Sequence, residues 1–304
     1  MKIDLHIHSK EGSDGCMTLE EIFKVAIQRD IGLISITDHD SIDCQEQAKT
    51  LADQSSILYL SGLELNVTFS HPGIRHSKPV SLDFLAFQYD ILNQPLVHKL
   101  SELRGYRRKR ADQILGKINQ ELAKENFDEF TPHDLEEIQD SVAGAFGRPH
   151  IANYMIKKGI VTSKQEAFDK YLEKCNVPKM PLSLPEASRL VRGAGGKLIL
   201  AHPNDPNGTS LASLDPSPHE QQKIIKKAML SYIDGIECWH PRHDRKTVNS
   251  YLRFARKEGL MVTGGTDCHQ QPIIMGTLDL PPYVAEQFGL DREEKNFGVT
   301  PQME

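Results

Sequence analysis

The sequence of 304 residues lacks the features of several common protein classes. Its five cysteines are odd in number, lie far apart and form no Cys-x-x-Cys pair. This pattern argues against a disulfide framework and against a thiolate zinc site. No apolar run approaches the roughly 20 residues that span a bilayer, and the amino terminus has no signal-peptide core. These absences predict a cytoplasmic protein with reduced thiols and no membrane partner.

An excess of positive charge is also lacking. The chain has 36 Lys and Arg against 42 Asp and Glu, which gives a formal net charge of −6. The electric field of such a protein does not attract a long polyanion, so we expect no stable nucleic-acid partner. Bound metal cations do not enter this count, and they are compatible with a locally positive site.

Short apolar runs alternate with amphipathic segments along most of the chain. Most of these runs are almost continuously apolar, which is typical of strands covered on both faces. Strands that alternate with helices predict an α/β fold with a parallel sheet, and about seven repeats indicate a closed barrel. The predicted strands are 2–6, 33–37, 58–65, 80–87, 197–202, 235–238 and 261–265.

The segment 92–180 departs from this rhythm because it contains helical patterns and no convincing strand. We interpret it as a helical insertion that covers one end of the barrel, whose two parts are 1–91 and 181–291. The polar residues 292–304 form a tail. The helices predicted in the insertion are 96–126, 132–139, 149–158 and 164–173.

The thirteen histidines are numerous for this length, and their placement predicts a metal site. His6 and His8 lie two residues apart at the end of the first strand, so both rings point to one side. Asp267 and His269 repeat this spacing after the seventh strand. Because the carboxyl ends of parallel strands face one opening, five strands that end in such residues should converge there. The other predicted strand-end residues are His39, Glu64 and His202.

These motifs resemble those of the PHP (polymerase and histidinol phosphatase) phosphoesterases. The resemblance extends from residue 2 to about residue 269, and the order and spacing of the motifs both agree. It implies a distorted (β/α)7 barrel that binds two to three divalent metal ions, either manganese, iron or zinc. The motifs that carry the resemblance are DLHIHS, SDG, TDHD, GLE, AHP and GGTDCH.

The resemblance also assigns ligands to each metal. By motif position, Glu64 would bridge two metals and is therefore a catalytic residue, and His202 would bind the second of these metals. The first metal would be held by His6, His8, Glu64 and Asp267, and the third by Asp14, His39 and His269.

The chain departs from the family pattern on the fourth strand, where relatives usually carry a histidine ligand. Asp83 occupies that position here. A carboxylate can replace an imidazole for these metals, so Asp83 is our candidate for the second site. The loop residue His76 is the alternative, and a weak or empty second site is a further one.

Three residues are candidates for contact with the substrate. Arg148 lies at a predicted helix start, where its guanidinium and free backbone N–H groups would bind phosphate together. An ion pair with a carboxylate is the alternative. Arg110, together with Arg107, matches an Arg-x-x-Arg pair of the nucleotide-directed branch, although a solvated helix face also explains this charge run. His243 would orient the phosphate or protonate the leaving group, unless it is a surface histidine.

We expect Asp4, Asp38 and Asp40 to fix the tautomers of neighbouring histidines. These residues flank the predicted ligands in the first two motifs.

The predicted activity is the metal-dependent hydrolysis of a small phosphorylated substrate, either AMP or a nucleoside 3′,5′-bisphosphate. Asp14, the insertion and the segment 147–152 all resemble the nucleotide-directed branch of the family. A hydroxide that bridges two metals would attack the phosphorus, since a metal lowers the pKa of water towards about 7. An exonuclease acting on short RNA, a histidinol phosphatase and a non-catalytic metal-binding accessory module are the alternatives.

Overall fold

Strands and helices alternate through most of the computed structural model, which describes residues 1–74, 78–140 and 147–290. The strands are β1 (Lys2–Ile7), β2 (Ile31–Ile36), β3 (Leu58–Tyr59), β4 (Gly62–Phe69), β5 (Val80–Phe87), β6 (Lys197–Leu200), β7 (Gly235–Trp239) and β8 (Met261–Gly264). The helices are α1 (Leu19–Gln28), α2 (Gln45–Ser55), α3 (Gln94–Lys124), α4 (Pro132–Asp140), α5 (Arg148–Lys157), α6 (Lys164–Ala167), α7 (Leu184–Gly193), α8 (Pro218–Ala228), α9 (Arg245–Glu258) and α10 (Tyr283–Glu286).

The strands form two sheets, one in the order β1-β2-β3 and one in the order β4-β5-β6-β7-β8. Single bridges join the sheets at both edges, between Ile7 and Cys268 and between His39 and Glu64. β5 is antiparallel to both of its neighbours, whereas the other pairings are parallel. The predicted α/β class is confirmed, and the prediction of an all-parallel sheet is wrong at β5.

The direction of β5 follows from the short connection that precedes it. Phe69 and Val80 end and begin strands that pair with each other, and a parallel crossover needs about a dozen residues or more. The chain therefore turns back as a hairpin. This reversal places the first half of β5 beside the carboxyl end of β6, where Ala201 donates its backbone N–H to the carbonyl of Asp83 at 3.1 Å.

The predicted strand 58–65 is two strands in the structure. β3 pairs with β2, and the chain crosses at Leu60 and Ser61 to the second sheet, where β4 pairs with β5. Glu64 consequently lies near the start of β4 and not at the end of a strand. The sequence marks this change of sheet only by Ser61 and Gly62, which interrupt the apolar run and are typical of turns.

α3 connects two separate apolar cores. Its first half packs Leu96, Leu100 and Leu103 into the core that β4–β8 share with α7 and α9. Its second half buries Ile114 and Ile118 in a core drawn from residues 111–177. The helices predicted in the insertion match the observed ones within two residues, except that 164–173 is α6 followed by a π-helical turn, Phe168–Leu172.

The described residues agree with two further sequence observations. All five cysteines are free thiols, and Cys16 alone among them is exposed. Within the described ranges, every helix falls short of the length and apolar character that a membrane span requires. The tail predicted at 292–304 lies outside the described residues.

Candidate metal centre

The nine predicted metal ligands lie together where β1, β4, β5 and the segments after β2, β6 and β8 meet. They form three overlapping groups, in each of which the ligand atoms lie within 4.8 Å of one another. Glu64 belongs to two groups, as a bridging ligand must, and His8 is also shared. The groups are His6, His8, Glu64 and Asp267; Glu64, Asp83 and His202; and His8, Asp14, His39 and His269.

The first group is compact because two strand ends meet there. Nε2 of His6 and Nε2 of His8 lie 3.1 Å and 3.2 Å from Oδ1 of Asp267. Nε2 of His8 is also 3.3 Å from Oε2 of Glu64. Gly265 allows this approach, since a Cβ at that position would lie 2.3 Å from the backbone nitrogen of His6.

Many of the ligand atoms are buried without a hydrogen-bond partner. A buried polar atom that lacks a partner costs about 1–3 kcal/mol, so several such atoms facing one another need a bound cation to satisfy them. Imidazole and carboxylate donors suit manganese, iron and zinc. The residues therefore fit a group of divalent cations. The atoms are His6 Nε2, His8 Nε2, Asp14 Oδ1, Glu64 Oε2 and Asp267 Oδ1.

The electrostatics of the cluster also favour cations. Burial lowers the pKa of His39, but the carboxylates of Glu64 and Asp14 together outweigh burial and raise it to about 9. Burial also lowers the pKa of His202, whereas the hydrogen bond and the charge of Glu64 raise it, and the pKa is raised to about 9. For His269, burial is outweighed by Asp267 and Asp14 together, and the pKa is raised to about 10. The carboxylates thus favour positive charge on the rings. Divalent metals supply this charge when they displace the protons from the rings.

Glu237, which was not predicted from the sequence, orients two of the histidines. Oε1 of Glu237 accepts a hydrogen bond from Nδ1 of His6 at 3.0 Å, which leaves Nε2 of His6 free to bind a metal. Oε2 accepts from the backbone N–H of His202 at 2.7 Å. The signal in the sequence was an acidic residue inside the apolar strand β7.

Asp38 acts on His8 through a serine. Oγ of Ser13 donates to Asp38 at 2.6 Å, and it lies 3.2 Å from Nδ1 of His8. The serine oxygen therefore accepts from Nδ1, and Nε2 of His8 keeps its lone pair for a metal.

The expectation that Asp4 and Asp40 fix histidine tautomers is wrong, because neither contacts a histidine ring of the described residues. Asp4 accepts from Thr266 and from the backbone of Gly276, and it thereby holds the loop after β8. Asp40 accepts from Arg107 and from the backbone of Asn66.

Asp83 is buried beside Glu64 and His202. Its two oxygens accept hydrogen bonds from the side chains of Asn66 and Thr209. Burial and the charge of Glu64 raise its pKa. The alternative residue, His76, lies outside the described residues.

A cleft of about 670 Å³ opens beside the cluster, and it is large enough for a nucleotide. One wall includes Asp14, which follows β1, and Asp267 and His269, which follow β8. The first turns of α5 and Phe168 also line the cleft. Lys10, Lys164 and Arg242 also line the cleft, and within the described part of the chain these three side chains make no ion pair.

The three predicted substrate contacts do not line this cleft. Arg148 donates to Glu173 at 3.2 Å, and its guanidinium lies 5.2 Å from the centre of the Phe168 ring. Arg110 is buried and donates to the carbonyl of Val177 and to Asn176.

His243 is buried and both of its ring nitrogens contact backbone groups. Nδ1 donates to the carbonyl of Cys238 at 2.9 Å, and Nε2 accepts from the N–H of Asn204 at 3.2 Å. In the same segment, His240 lines the cleft instead, and the sequence analysis did not single it out.

Comparison with known proteins agrees with this geometry. Residues 4–180 match the family model described as the PHP domain, and the chain belongs to this family. The protein is accordingly an enzyme, a metal-dependent phosphoesterase that hydrolyses phosphoric ester bonds.

Relatives extend over almost the whole chain. The 5′-3′ exoribonuclease Rnm of Escherichia coli (strain K12) is 25% identical over 274 residues, which are 88% of this chain and 85% of that protein. The 3′,5′-nucleoside bisphosphate phosphatase of Chromobacterium violaceum is 27% identical over 292 residues, 92% of this chain and 93% of that protein. A solved structure from Bifidobacterium adolescentis, assigned as a metal-dependent phosphoesterase, is 25% identical with a TM-score of 0.75 and covers 94% of both chains.

Proposed function

We propose that the protein removes phosphate from a small nucleotide, either AMP or a nucleoside 3′,5′-bisphosphate. The observation that carries the proposal is a set of three ligand groups, linked through Glu64 and His8, that reaches the wall of a cleft of nucleotide size at Asp14, Asp267 and His269. The name of the Chromobacterium violaceum relative supports a substrate of this kind.

Each group of side chains would hold one divalent cation. His6, His8 and Asp267 would bind the first, Asp83 and His202 the second, and Glu64 would join these two. The remaining group, Asp14, His39 and His269, would bind a third. When bound, manganese, iron or zinc lowers the pKa of water and offsets the charge of phosphoryl oxygens.

The surrounding residues position the substrate for this chemistry. Asp14 and His269 line the cleft, so the third group would lie closest to the entering phosphate. Lys10, Lys164 and Arg242 would attract the anionic substrate. Arg110 and Arg148 are held by groups of the insertion, and they would add positive potential without touching the phosphate. His243 would support the loop after β7 through its two backbone contacts.

The same proposal extends to the architecture. The two bridges between the sheets support a distorted seven-stranded barrel, in which β3 and β4 count as one interrupted strand. The barrel would comprise residues 1–91 and 181–291, and the insertion 92–180 would form the lid of the cleft.

Exonuclease activity on short RNA is the second candidate. The three basic side chains that line the cleft without an ion pair favour it, since a strand bound through its phosphates needs more than one cationic contact. The Escherichia coli relative is named for this activity.

A phosphate-release screen with added Mn²⁺ separates the candidates. The substrates are AMP, adenosine 3′,5′-bisphosphate, histidinol phosphate and a short 5′-phosphorylated RNA. We expect the fastest release from one of the two mononucleotides. Preference for the RNA would favour the second candidate, and preference for histidinol phosphate would overturn the nucleotide assignment while leaving the chemistry intact.

A further inference from the structure

His240 lies immediately after β7, on the wall of the cleft. It is only 3% exposed, and its Nε2 has no hydrogen-bond partner. This atom lies 3.6 Å from Oδ2 of Asp267, which is beyond hydrogen-bond distance. Together with Asp205 and Asp267, His240 makes a fourth group with metal-ligand chemistry.

The other ring nitrogen determines what His240 does. Nδ1 accepts a hydrogen bond from the backbone N–H of Arg242 at 3.3 Å. A nitrogen that accepts a hydrogen bond uses its lone pair and carries no proton, so the proton of the neutral ring lies on Nε2. Nε2–H can donate a hydrogen bond, but it has no lone pair for a metal.

The contrast with His6 makes the assignment specific. Nδ1 of His6 donates to Glu237, and the lone pair of its Nε2 faces the predicted metals. His240 has the opposite arrangement, with an acceptor at Nδ1 and a donor at Nε2. The partner of Nδ1 therefore distinguishes the two buried histidines: a carboxylate for the candidate metal ligand His6, and a backbone N–H for His240.

We propose that His240 donates a hydrogen bond from Nε2 to a phosphoryl oxygen of the substrate and does not bind a metal. The proposal rests on the proposed function only in requiring a phosphate ester in the cleft. A buried donor that faces an anionic oxygen stabilises it without rearrangement of the site. Since the ring is held by Arg242 and followed by Pro241, its Nε2 is fixed in position.

Two substitutions distinguish the roles of the two ring nitrogens of His240. His240→Asn keeps an acceptor near Nδ1 for the N–H of Arg242 but places no donor at Nε2. His240→Gln extends an amide N–H to about the position of Nε2. The probe substrates are p-nitrophenyl phosphate and adenosine 3′,5′-bisphosphate, assayed with Mn²⁺, and metal content is measured on the same preparations.

We expect kcat/KM of the asparagine variant to fall about 10- to 100-fold, the range expected when a hydrogen bond to a charged group is lost. The glutamine variant should recover most of this loss, and both variants should retain the metal content of the wild type. Loss of one metal equivalent in both variants would overturn the proposal in favour of a fourth metal site. Unchanged kcat/KM in the asparagine variant would also overturn it.

A spectroscopic measurement reports the tautomer of His240 in the wild type directly. ¹⁵N chemical shifts of the histidine rings report which nitrogen carries the proton, and the signals absent from the asparagine variant identify His240. A proton on Nε2 supports the proposal, and a proton on Nδ1 contradicts it. If the wild type hydrolyses p-nitrophenyl phosphate but no nucleotide, the proposed function fails while the test of His240 stands.

Discussion

At the scale of single residues, Glu64 concentrates the contacts of the site. Its Oε1 lies 3.1 Å from Nε2 of His202, and its Oε2 lies 2.9 Å from Nδ1 of His39. Burial raises the pKa of Glu64, but the charges of His39 and His6 hold it well below the usual range. The carboxylate is therefore ionised and placed to serve two cations.

Glu64→Gln keeps the shape of the side chain and removes this charge. We expect at least one metal equivalent to be lost and kcat to fall by about 10²–10³, the typical effect of losing one preorganised electrostatic group. Metal analysis, kcat at saturating Mn²⁺ and thermal unfolding measure the effect. Glu258→Gln, at a surface ion pair with Lys226, is the matched control. Normal turnover in a folded, metal-loaded Glu64→Gln protein would show that Glu64 is structural.

Asp83 offers a second test at this scale. Asp83→Ala should lower the occupancy of the second metal site, because Glu64 and His202 would then lack their third ligand. His76→Ala, the alternative ligand, should change metal content little. Titration of the metal-free variants with Mn²⁺ measures both, and the reverse result would assign the site to His76.

The residues also show what local sequence can predict. The spacing of His6 and His8, and of Asp267 and His269, predicted candidate ligands that the structure brings together in two groups that share His8. Glu237 and His240 were missed because their roles depend on groups that are distant in the sequence. Glu237 contacts His6, and His240 lines the cleft. An expectation based on proximity in sequence, that Asp4 acts on a histidine ring, was wrong for the same reason.

At the scale of elements, periodic helices were the most predictable parts. The insertion helices have apolar repeats that fix their bounds, whereas continuous apolar strands carry no record of direction or of sheet. The reversal of β5 was therefore not foreseen, whereas the division of the strand 58–65 is marked by Ser61 and Gly62 and was missed. The ten-residue connection before β5 was visible, but its meaning depends on which strands pair.

α3 allows a prediction about stability. Gly105 lies between its two buried faces, and a Cβ at this position would have no atom within 4 Å. Gly105→Ala should therefore stabilise the protein by about 0.4–1 kcal/mol, because alanine restricts the unfolded chain and favours the helix.

Chemical denaturation measures this difference. The control is Gly195→Ala. Gly195 has a φ of +79°, which disfavours alanine, so this substitution should destabilise the protein. A destabilised Gly105→Ala protein would indicate that α3 bends at this residue.

At the scale of the whole molecule, metal binding and stability should be linked through pH. In protein stripped of metal by a chelator, the pKa values of His39 and His202 are raised from 6.5 to about 9 and that of His269 to about 10. Groups with raised pKa values stabilise the folded state fully below the unfolded value of 6.5, and this stabilisation is lost as the pH rises through 9 to 10.

Metals bind the deprotonated rings, so the affinity of the protein for metals should increase as the pH rises. We expect the Tm of the metal-free protein to fall between pH 6.5 and 9, and the gain in Tm on adding Mn²⁺ to grow over the same range. Saturation at about 100 times Kd adds about 2.7 kcal/mol per site. Calorimetry with and without EDTA measures both trends. A gain in Tm that is independent of pH would contradict the ligand assignment.

The hairpin of β4 and β5 also bears on the order in which the site assembles. Asn66 and Asp83 meet across only 17 residues of chain, while His202 reaches Glu64 across 138 and Thr266 reaches Asp4 across 262. Contacts between nearby residues require less loop closure and form sooner. A growing chain therefore presents the carboxylates of Glu64 and Asp83 long before Asp267 is synthesised. The last strand, rather than the first histidines, completes the enzyme.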